Sequence, residues 1–389
     1  MWGNLLSQVA DAAKEELTKR ASSGSSSERN SRGSGSGGSG GVNWAELASG
    51  VGAMAVDALD RKAKQLSMPT ASAEDLELAL IATKLSAIAY AGAEGALYAS
   101  EEEASAELSR LGGELIHWCR QPVQPSEKFE LRLPDKLPQW FIAKRGARDL
   151  YLVFRGTASH DDVLRDVMAV PEEFGGLRFH KGFLGGVLHN EELKAHLRSC
   201  LDGMTTGTHL HIFGHSLGGS LAMVLPLVQG FIPPSFDGPI TVVAVGSPPV
   251  LHAGEAGVDE QCIPASARRA RVVVIVNASD IVPRCLGSPL PLATSATFQA
   301  AAERAAGPDR PTKLLLSVIP EYAHLAQTSV LLLRRFPPPT VGIAVPANER
   351  KHVLHLHESL SVNLVADHGC EMYVSAIEAA LQQAAAEVQ

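Results

Sequence analysis

A serine between two glycines is the residue of this chain best suited to act as a nucleophile. The stretch FGHSLGG at 213–219 places Ser216 directly after an apolar run at 209–213. A serine hydroxyl becomes a good nucleophile when a base removes its proton and the backbone presents it at an open site. A strand-to-helix turn lined by glycines does this, and the apolar segment 219–227 would supply the helix. The pattern therefore predicts Ser216 as a nucleophile on such a turn.

An acid that could orient the base follows a predicted strand farther along the chain. Folds with a nucleophile turn of this kind order the three groups as serine, acid and histidine. The β-branched run at 271–276 predicts a buried parallel strand, and Asp280 lies just past its end. Open α/β sheets place site residues at that position. Asp280 is thus a candidate acid, although an aspartate that caps a turn also fits there.

The candidate base is His368, which precedes an Ala-rich final helix predicted over 374–381. The chain has 14 histidines, so most of them are expected to be structural. Three competing histidines alternate in the way that is typical of one face of a strand: His352, His355 and His357. His368 therefore completes the predicted set.

Two backbone donors are expected to hold the oxyanion that forms when a serine attacks a carbonyl. One is the N–H of Leu217, directly after the nucleophile, and the other comes from the loop after an earlier strand. Residues 149–154 predict that strand, and Thr157 follows it as the second candidate donor. An ordinary turn at the end of the strand also explains Gly156 and Thr157.

These blocks, in this order, resemble the class 3 lipases, which have the α/β-hydrolase fold. The matching blocks are 153–157 with Asp161, Asp162 and Asp166 after it, 179–183, 214–222, 241–249, 277–284, and Asp367-His368 with Tyr373. The resemblance covers residues 75–385. It implies a catalytic triad of Ser216, Asp280 and His368, oxyanion donors at Thr157 and Leu217, and a structural role near the site for His180.

Two departures from the family pattern concern access to the site. Family members often carry a tryptophan where this chain has Val163 and Leu164, which affects the packing of the lid. An Ala- and Pro-rich insertion at 286–311 lies between Asp280 and His368. The insertion either shapes substrate access or forms a surface loop.

The predicted elements alternate as in an α/β fold with a mostly parallel central sheet flanked by helices. Helices are predicted over 73–90 and 100–119. Strands are predicted over 128–133, 140–144, 149–154, 209–213, 240–245 and 271–276.

The composition bears on the number of domains, the cellular location and the partners that the protein can bind. The chain has 389 residues, 45% of them hydrophobic, which allows one large α/β domain over 72–389. A formal net charge of −8 argues against nucleic-acid binding. Five scattered cysteines indicate a reducing compartment, and neither a secretory signal nor an apolar membrane span is recognisable. We therefore expect a cytoplasmic protein, with peripheral membrane attachment and organellar targeting left open.

No cofactor is expected for this chemistry. The chain has no paired-cysteine zinc spacing, no phosphate-binding glycine loop and no His-Glu-x-x-His motif. We therefore expect neither a metal nor an organic cofactor.

Residues 1–66 contain a repeat with a period of 42 residues. Trp2, Leu5, Ser7, Val9, Ala13 and Leu17 recur as Trp44, Leu47, Ser49, Val51, Ala55 and Leu59. The spacing predicts two amphipathic helices, 1–20 and 44–66, joined by a flexible Ser/Gly-rich linker at 21–43. The helices either dock on a membrane or lipid-droplet surface, or pack on the catalytic domain, on each other or on a partner.

The resemblance implies a serine hydrolase that cleaves carboxylic ester bonds of glycerolipids through an acyl-enzyme on Ser216. Its substrates would be acylglycerols or polar membrane lipids. One alternative is a carboxylesterase or thioesterase that acts on soluble esters. Another is a catalytically silent lipase-like scaffold, whose usual mark is a lost triad residue; none is lost here.

Overall fold

The computed structural model describes the following residues of the chain: 68–93, 96–119, 139–156, 171–204, 207–252, 258–278, 280, 282–284, 322–325, 327–334, 339–349 and 366–388. All of them fall within one compact unit, Val56–Gln389. Several predictions concern residues outside this set: the helices 1–20 and 44–66, the linker 21–43, the strand 128–133, Thr157, Val163, Leu164, the insertion 286–311, His352, His355 and His357.

Helices and strands alternate along the described residues. The helices are α1 (Ala73–Ile88), α2 (Glu101–Arg110), α3 (Lys181–Leu188), α4 (Glu191–Asp202), α5 (Leu217–Val224), α6 (Ala265–Arg269) and α7 (Cys370–Val388). The strands are β1 (Glu114–Cys119), β2 (Trp140–Arg145), β3 (Asp149–Phe154), β4 (Pro171–Phe174), β5 (Leu177–His180), β6 (His209–His215), β7 (Ile240–Val245), β8 (Leu251–His252), β9 (Arg271–Asn277), β10 (Tyr322–Ala323), β11 (Ser329–Arg334) and β12 (Val341–Val345).

The central sheet has eight strands in the order β1-β2-β3-β6-β7-β9-β11-β12. The five strands from β3 to β11 are parallel to one another. Strands β1, β2 and β12 pair antiparallel at the two edges. The predicted mostly parallel α/β-hydrolase sheet is therefore confirmed. A second, antiparallel sheet has the order β10-β8-β5-β4.

The central sheet is buried on both faces, as expected for a parallel sheet covered by helices. Strand β7 is buried along its whole length. Successive residues point to opposite faces of a strand. Val242 accordingly belongs to one hydrophobic cluster, while Val243 belongs to the other, together with buried residues of α1 and α7.

The prediction of a helix over 100–119 is wrong in its second half, where the structure has a strand. Helix α2 ends at Arg110, and β1 follows from Glu114 to pair antiparallel with β2. Two glycines explain the break. Gly112 has a φ of 74°, which favours glycine, and a Cβ on Gly113 would lie 2.4 Å from Leu108 Cδ1. The polar pattern of 101–110 predicts the helix correctly, and the Gly112-Gly113 pair marks its end.

The parallel strands bring Ser216 and Asp280 to the same end of the sheet, where the carboxyl ends of the strands lie. Strand β6 ends at His215, directly before Ser216, and β9 ends at Asn277, three positions before Asp280. Strand β7 lies between β6 and β9 and pairs with both. Among the described residues, none of the helices has both the length and the apolar character needed to cross a lipid bilayer.

Candidate active site

Ser216 occupies the sharp turn between β6 and α5. Its backbone has φ 57° and ψ −129°, and its N–H donates to the Val245 carbonyl at 2.8 Å. A side-chain-bearing residue in such a conformation costs on the order of 1–3 kcal/mol, so the surrounding structure must enforce it. The strand-to-helix turn predicted from the glycine spacing is therefore present.

Glycines allow β6, α5 and β3 to approach one another around this turn. A Cβ on Gly214 would lie 2.2 Å from the Gly218 carbonyl carbon, and one on Gly218 would lie 2.4 Å from the Phe154 oxygen. A Cβ on Gly219 would lie 1.8 Å from Ser247 Oγ. These distances leave no room for a side chain, so the glycines are required by packing.

Replacing Gly214 with alanine is expected to destabilise the protein by about 1–3 kcal/mol or more, because the backbone of α5 must move away from β6. Urea unfolding measures this change. Gly203→Ala is the matched control, since its Cβ would make only ordinary contacts, the nearest at 3.5 Å. Equal stability of the two variants would contradict the packing argument.

Asp280 and His368 form a buried hydrogen-bonded pair. His368 Nδ1 donates to Asp280 Oδ2 at 2.9 Å, because a carboxylate can only accept. The same Oδ2 accepts the Tyr373 hydroxyl at 2.6 Å, and Oδ1 accepts the Val282 N–H at 2.9 Å. With its proton on Nδ1, the neutral imidazole keeps a lone pair on Nε2, which is the atom a general base needs.

The contacts of Asp280 keep it ionised. Burial alone would raise the pKa of this carboxyl. The charge of His368 and the hydrogen bonds from His368, Tyr373 and the Val282 N–H instead hold the pKa below its ordinary value. The resulting stabilisation is present above the unfolded pKa of about 3.9 and is lost as the pH falls through the lower folded pKa.

Replacing Tyr373 with phenylalanine is expected to raise the pKa of Asp280, because the buried carboxylate loses one donor. Loss of a hydrogen bond to a charged group costs about 1.5–3 kcal/mol at neutral pH. We therefore expect acid unfolding to begin at a higher pH than in the wild type. Denaturation followed by circular dichroism against pH measures this shift. Tyr322→Phe, in the second sheet, is the control, and an unchanged acid midpoint in Tyr373→Phe would contradict the assignment.

Ser216 and His368 lie deeper than the open site that the sequence predicted, with exposed fractions of 1% and 4%. Ser216 Oγ is buried and has no hydrogen-bond partner among the described residues. A Cβ on Gly246 would lie 2.9 Å from Asp280 Oδ2 and 3.2 Å from His368 Nδ1. The ends of β7 and β9 therefore meet around Asp280 and His368, and the bond from the Ser216 N–H to Val245 places the nucleophile turn at the same end of β7.

The structure describes one of the two candidate oxyanion donors, Leu217, but not the other, Thr157. Leu217 is the first residue of α5, where backbone N–H groups lack intrahelical partners and can bind an anion. Thr157 lies outside the described residues, so its role stays a prediction. Its neighbour Gly156 follows β3 and comes close to the turn, since a Cβ there would lie 3.1 Å from Ser216 Cβ.

His215 and Tyr90 contact the site and were not recognised from the sequence. His215 Nε2 donates to the His368 carbonyl at 2.6 Å, so its Nδ1 accepts the Tyr90 hydroxyl at 3.1 Å. These contacts hold the backbone of the candidate base. In the sequence, the position of His215 directly before Ser216 is the feature that indicates a place near the site.

His180 is buried at the junction of β5 and α3. Its ring stacks on Phe183 with a centroid distance of 3.9 Å and lies 5.4 Å from the Tyr322 ring. It thus packs between α3 and β10, and its structural role stays a prediction.

The sequence and the fold of the chain can be compared with those of known proteins. Residues 151–289 match the family described as "Lipase (class 3)". The chain is also similar to "Phospholipase A1 PLIP2, chloroplastic" from Arabidopsis thaliana, with 30% identity over 163 residues. That match covers 39% of this chain and 22% of the plant protein, so it spans about a fifth of that relative.

Similarity also extends to solved lipase structures. The Lip2 lipase of Yarrowia lipolytica is 17% identical with a TM-score of 0.48, covering 78% of this chain and 95% of that chain. The triacylglyceride lipase of Rhizomucor miehei is 17% identical with a TM-score of 0.47, covering 79% of this chain and 100% of that chain.

Proposed function

We propose that this chain hydrolyses carboxylic ester bonds of glycerolipids, since its residues 151–289 match the class 3 lipase family. The reaction would proceed through an acyl-enzyme on Ser216. The observation that carries the proposal is the buried hydrogen bond from His368 Nδ1 to Asp280 Oδ2, at the same sheet edge as the strained Ser216 turn.

The mechanism follows from the roles of these atoms. His368 Nε2 takes the proton of Ser216 Oγ as that oxygen attacks the ester carbonyl, and Asp280 stabilises the imidazolium that forms. The N–H groups of Leu217 and Thr157 would hold the oxyanion. His368 then returns the proton to the leaving alcohol and activates a water that hydrolyses the acyl-enzyme.

Phospholipids are the first substrate class to test. The Arabidopsis relative is named a phospholipase A1, and its matched segment has 30% identity with this chain. Acylglycerols are the second class, because the family that matches residues 151–289 is described as class 3 lipases. The alternative of a soluble-ester hydrolase predicts cleavage of short acyl chains with no gain at a lipid surface.

The test is hydrolysis of mixed glycerolipid liposomes by the wild type and by Ser216→Ala, with the released lipids identified by mass spectrometry. We expect a fatty acid and its matching lyso- or monoacyl lipid with the wild type alone. Products that persist in Ser216→Ala would contradict the proposed nucleophile. Cleavage of short soluble esters without lipid products would favour the alternative.

The predicted N-terminal helices, 1–20 and 44–66, are proposed to bring the domain 72–389 to a membrane or lipid-droplet surface. Their apolar stripes, with Trp2 and Trp44 near the start of each helix, support this role. A cytoplasmic location with peripheral membrane attachment stays a prediction, and the plant relative is chloroplastic by name.

Deleting residues 1–65 is expected to weaken liposome binding and to leave hydrolysis of a soluble short-chain ester within about twofold of wild type, because the site elements begin at α1. Co-sedimentation with liposomes and an ester assay measure the two effects. Full co-sedimentation of the truncated protein would favour packing or partner binding by these helices.

A further inference from the structure

A second group of chemically active side chains lies at an edge of the central sheet, where β1 faces α4. His117 is on β1, and Glu192 and His196 are on α4. One ligand atom from each of the three side chains lies within 4.8 Å of the others. The group is separate from the triad, because strands β2 and β3 stand between β1 and β6, the strand that ends directly before Ser216.

The spacing on α4 places Glu192 and His196 on the same face. Residues four positions apart are neighbours on a helix surface. His196 Nδ1 lies 2.9 Å from the Glu192 carbonyl oxygen, which can only accept, so Nδ1 carries the proton. A neutral His196 then has a lone pair on Nε2. Metal-binding histidines are commonly fixed in this way, by donating the other ring N–H to a backbone carbonyl.

The remaining distances suit a small divalent cation. His117 Nε2 lies 3.3 Å from Glu192 Oε1. Two ligands bound to tetrahedral zinc at about 2.0–2.1 Å lie about 3.4 Å apart. The rings of His117 and His196 stack beside the carboxylate with centroids 3.9 Å apart. Binding one ion therefore requires the two rings to tilt until their in-plane lone pairs converge.

We propose that His117, Glu192 and His196 form a binding site for Zn²⁺. Two imidazoles and a carboxylate are ligands that zinc accepts, and three protein ligands leave a fourth position for water or another donor. The side chains of His117 and Glu192 are 29% and 35% exposed, so an ion can reach them from solvent. The site does not depend on the proposed function of Ser216.

Cys119 lies beside the site but outside the ligand group, since its Sγ is not among the atoms that lie within 4.8 Å of one another. It follows His117 by two positions on β1, which puts both side chains on the same face of a regular strand. Its Sγ donates to Glu192 Oε2 at 3.8 Å. The fourth position on the proposed ion is therefore left to water or another donor.

A second group of histidines suits a metal less well. His209, His211 and Asp149 also place ligand atoms within 4.8 Å of one another. Asp149 is paired there with the Arg145 guanidinium at 3.3 Å, and His209 Nε2 is hydrogen-bonded to Thr241 Oγ1 at 2.8 Å. The adjacent positive charge opposes a cation, so this group serves as a control.

Bound zinc would tie the edge strand β1 to helix α4. A cation that binds the folded protein alone stabilises it by mass action. The effect does not require Ser216, so it is measurable in Ser216→Ala as well as in the wild type.

The test uses the untagged full-length protein, stripped with EDTA and then titrated with Zn²⁺. We expect one zinc per chain by equilibrium dialysis and elemental analysis, and a rise in Tm on zinc addition. His196→Gln should lower zinc affinity by at least about tenfold, as should Glu192→Gln, while His209→Gln should bind as the wild type does. Less than one zinc in the wild type, or loss of binding in His209→Gln alone, would overturn the proposal.

Cobalt gives a second measurement that needs no variant. Co²⁺ in place of Zn²⁺ is expected to give the intense visible bands of tetrahedral coordination, even if the substituted proteins fail to fold. A spectrum like that of hydrated Co²⁺ would overturn the proposal.

Discussion

Replacing Ser216 with alanine is expected to lower kcat for ester hydrolysis by about a millionfold, because no other group at the turn can form the acyl-enzyme. Alanine keeps the Cβ of serine, so the backbone strain at φ 57° is unchanged. The hydroxyl has no hydrogen-bond partner among the described residues, so little folding free energy is lost with it. Initial rates on a phospholipid or a soluble ester measure the effect.

Ser220→Ala is the matched control for this substitution. Ser220 lies one turn along α5, and its hydroxyl donates to the Pro248 carbonyl at 3.0 Å. It therefore contributes to packing and not to the proposed reaction. We expect Ser220→Ala to retain activity and to lose some thermal stability. A Ser216→Ala protein with more than a few per cent of wild-type kcat would show that another residue is the nucleophile.

Replacing Asp280 with asparagine is expected to lower kcat by about ten thousandfold, because the wrong tautomer of His368 is favoured. The carboxylate accepts the His368 Nδ1 proton at 2.9 Å, whereas an amide nitrogen at that position would donate to Nδ1. The imidazole proton would then reside on Nε2, and the base would be lost. The rate against pH, together with kcat and KM, measures the change.

Asp202→Asn is the control, since Asp202 is an exposed residue at the end of α4. We expect a wild-type kcat from it. In Asp280→Asn the loss should fall on kcat with little change in KM, as expected when an interaction of the transition state is removed. A decrease of less than about tenfold in kcat would contradict the role of Asp280 as the orienting acid.

Much of the central sheet was predictable because its strands are short apolar runs bounded by polar residues or glycine. The predicted limits of β3 and β7 agree with the structure, and β6 and β9 extend only slightly further. Chain order then pointed to an acid just past the end of a parallel strand and to a histidine directly before the final helix. Asp280 and His368 are hydrogen-bonded to each other although they lie 88 positions apart in the chain.

Contacts between distant segments were not predictable from these patterns. The bonds from Tyr373 to Asp280 and from Tyr90 to His215 depend on how α7 and α1 pack on the sheet. The zinc site proposed at His117 and Glu192 brings together residues that are 75 positions apart. No local motif connects such residues, and the spacing rules for metal sites did not apply to them.

Covalent labelling with a serine-directed phosphonate tests the central claim most directly. The phosphonate reacts with a serine that has an activated hydroxyl, so it reports on Ser216 whatever the lipid substrate is. We expect one adduct per chain, located on Ser216 by peptide mass spectrometry, and no adduct in Ser216→Ala. An unlabelled wild-type protein, or equal labelling of Ser216→Ala, would contradict the account.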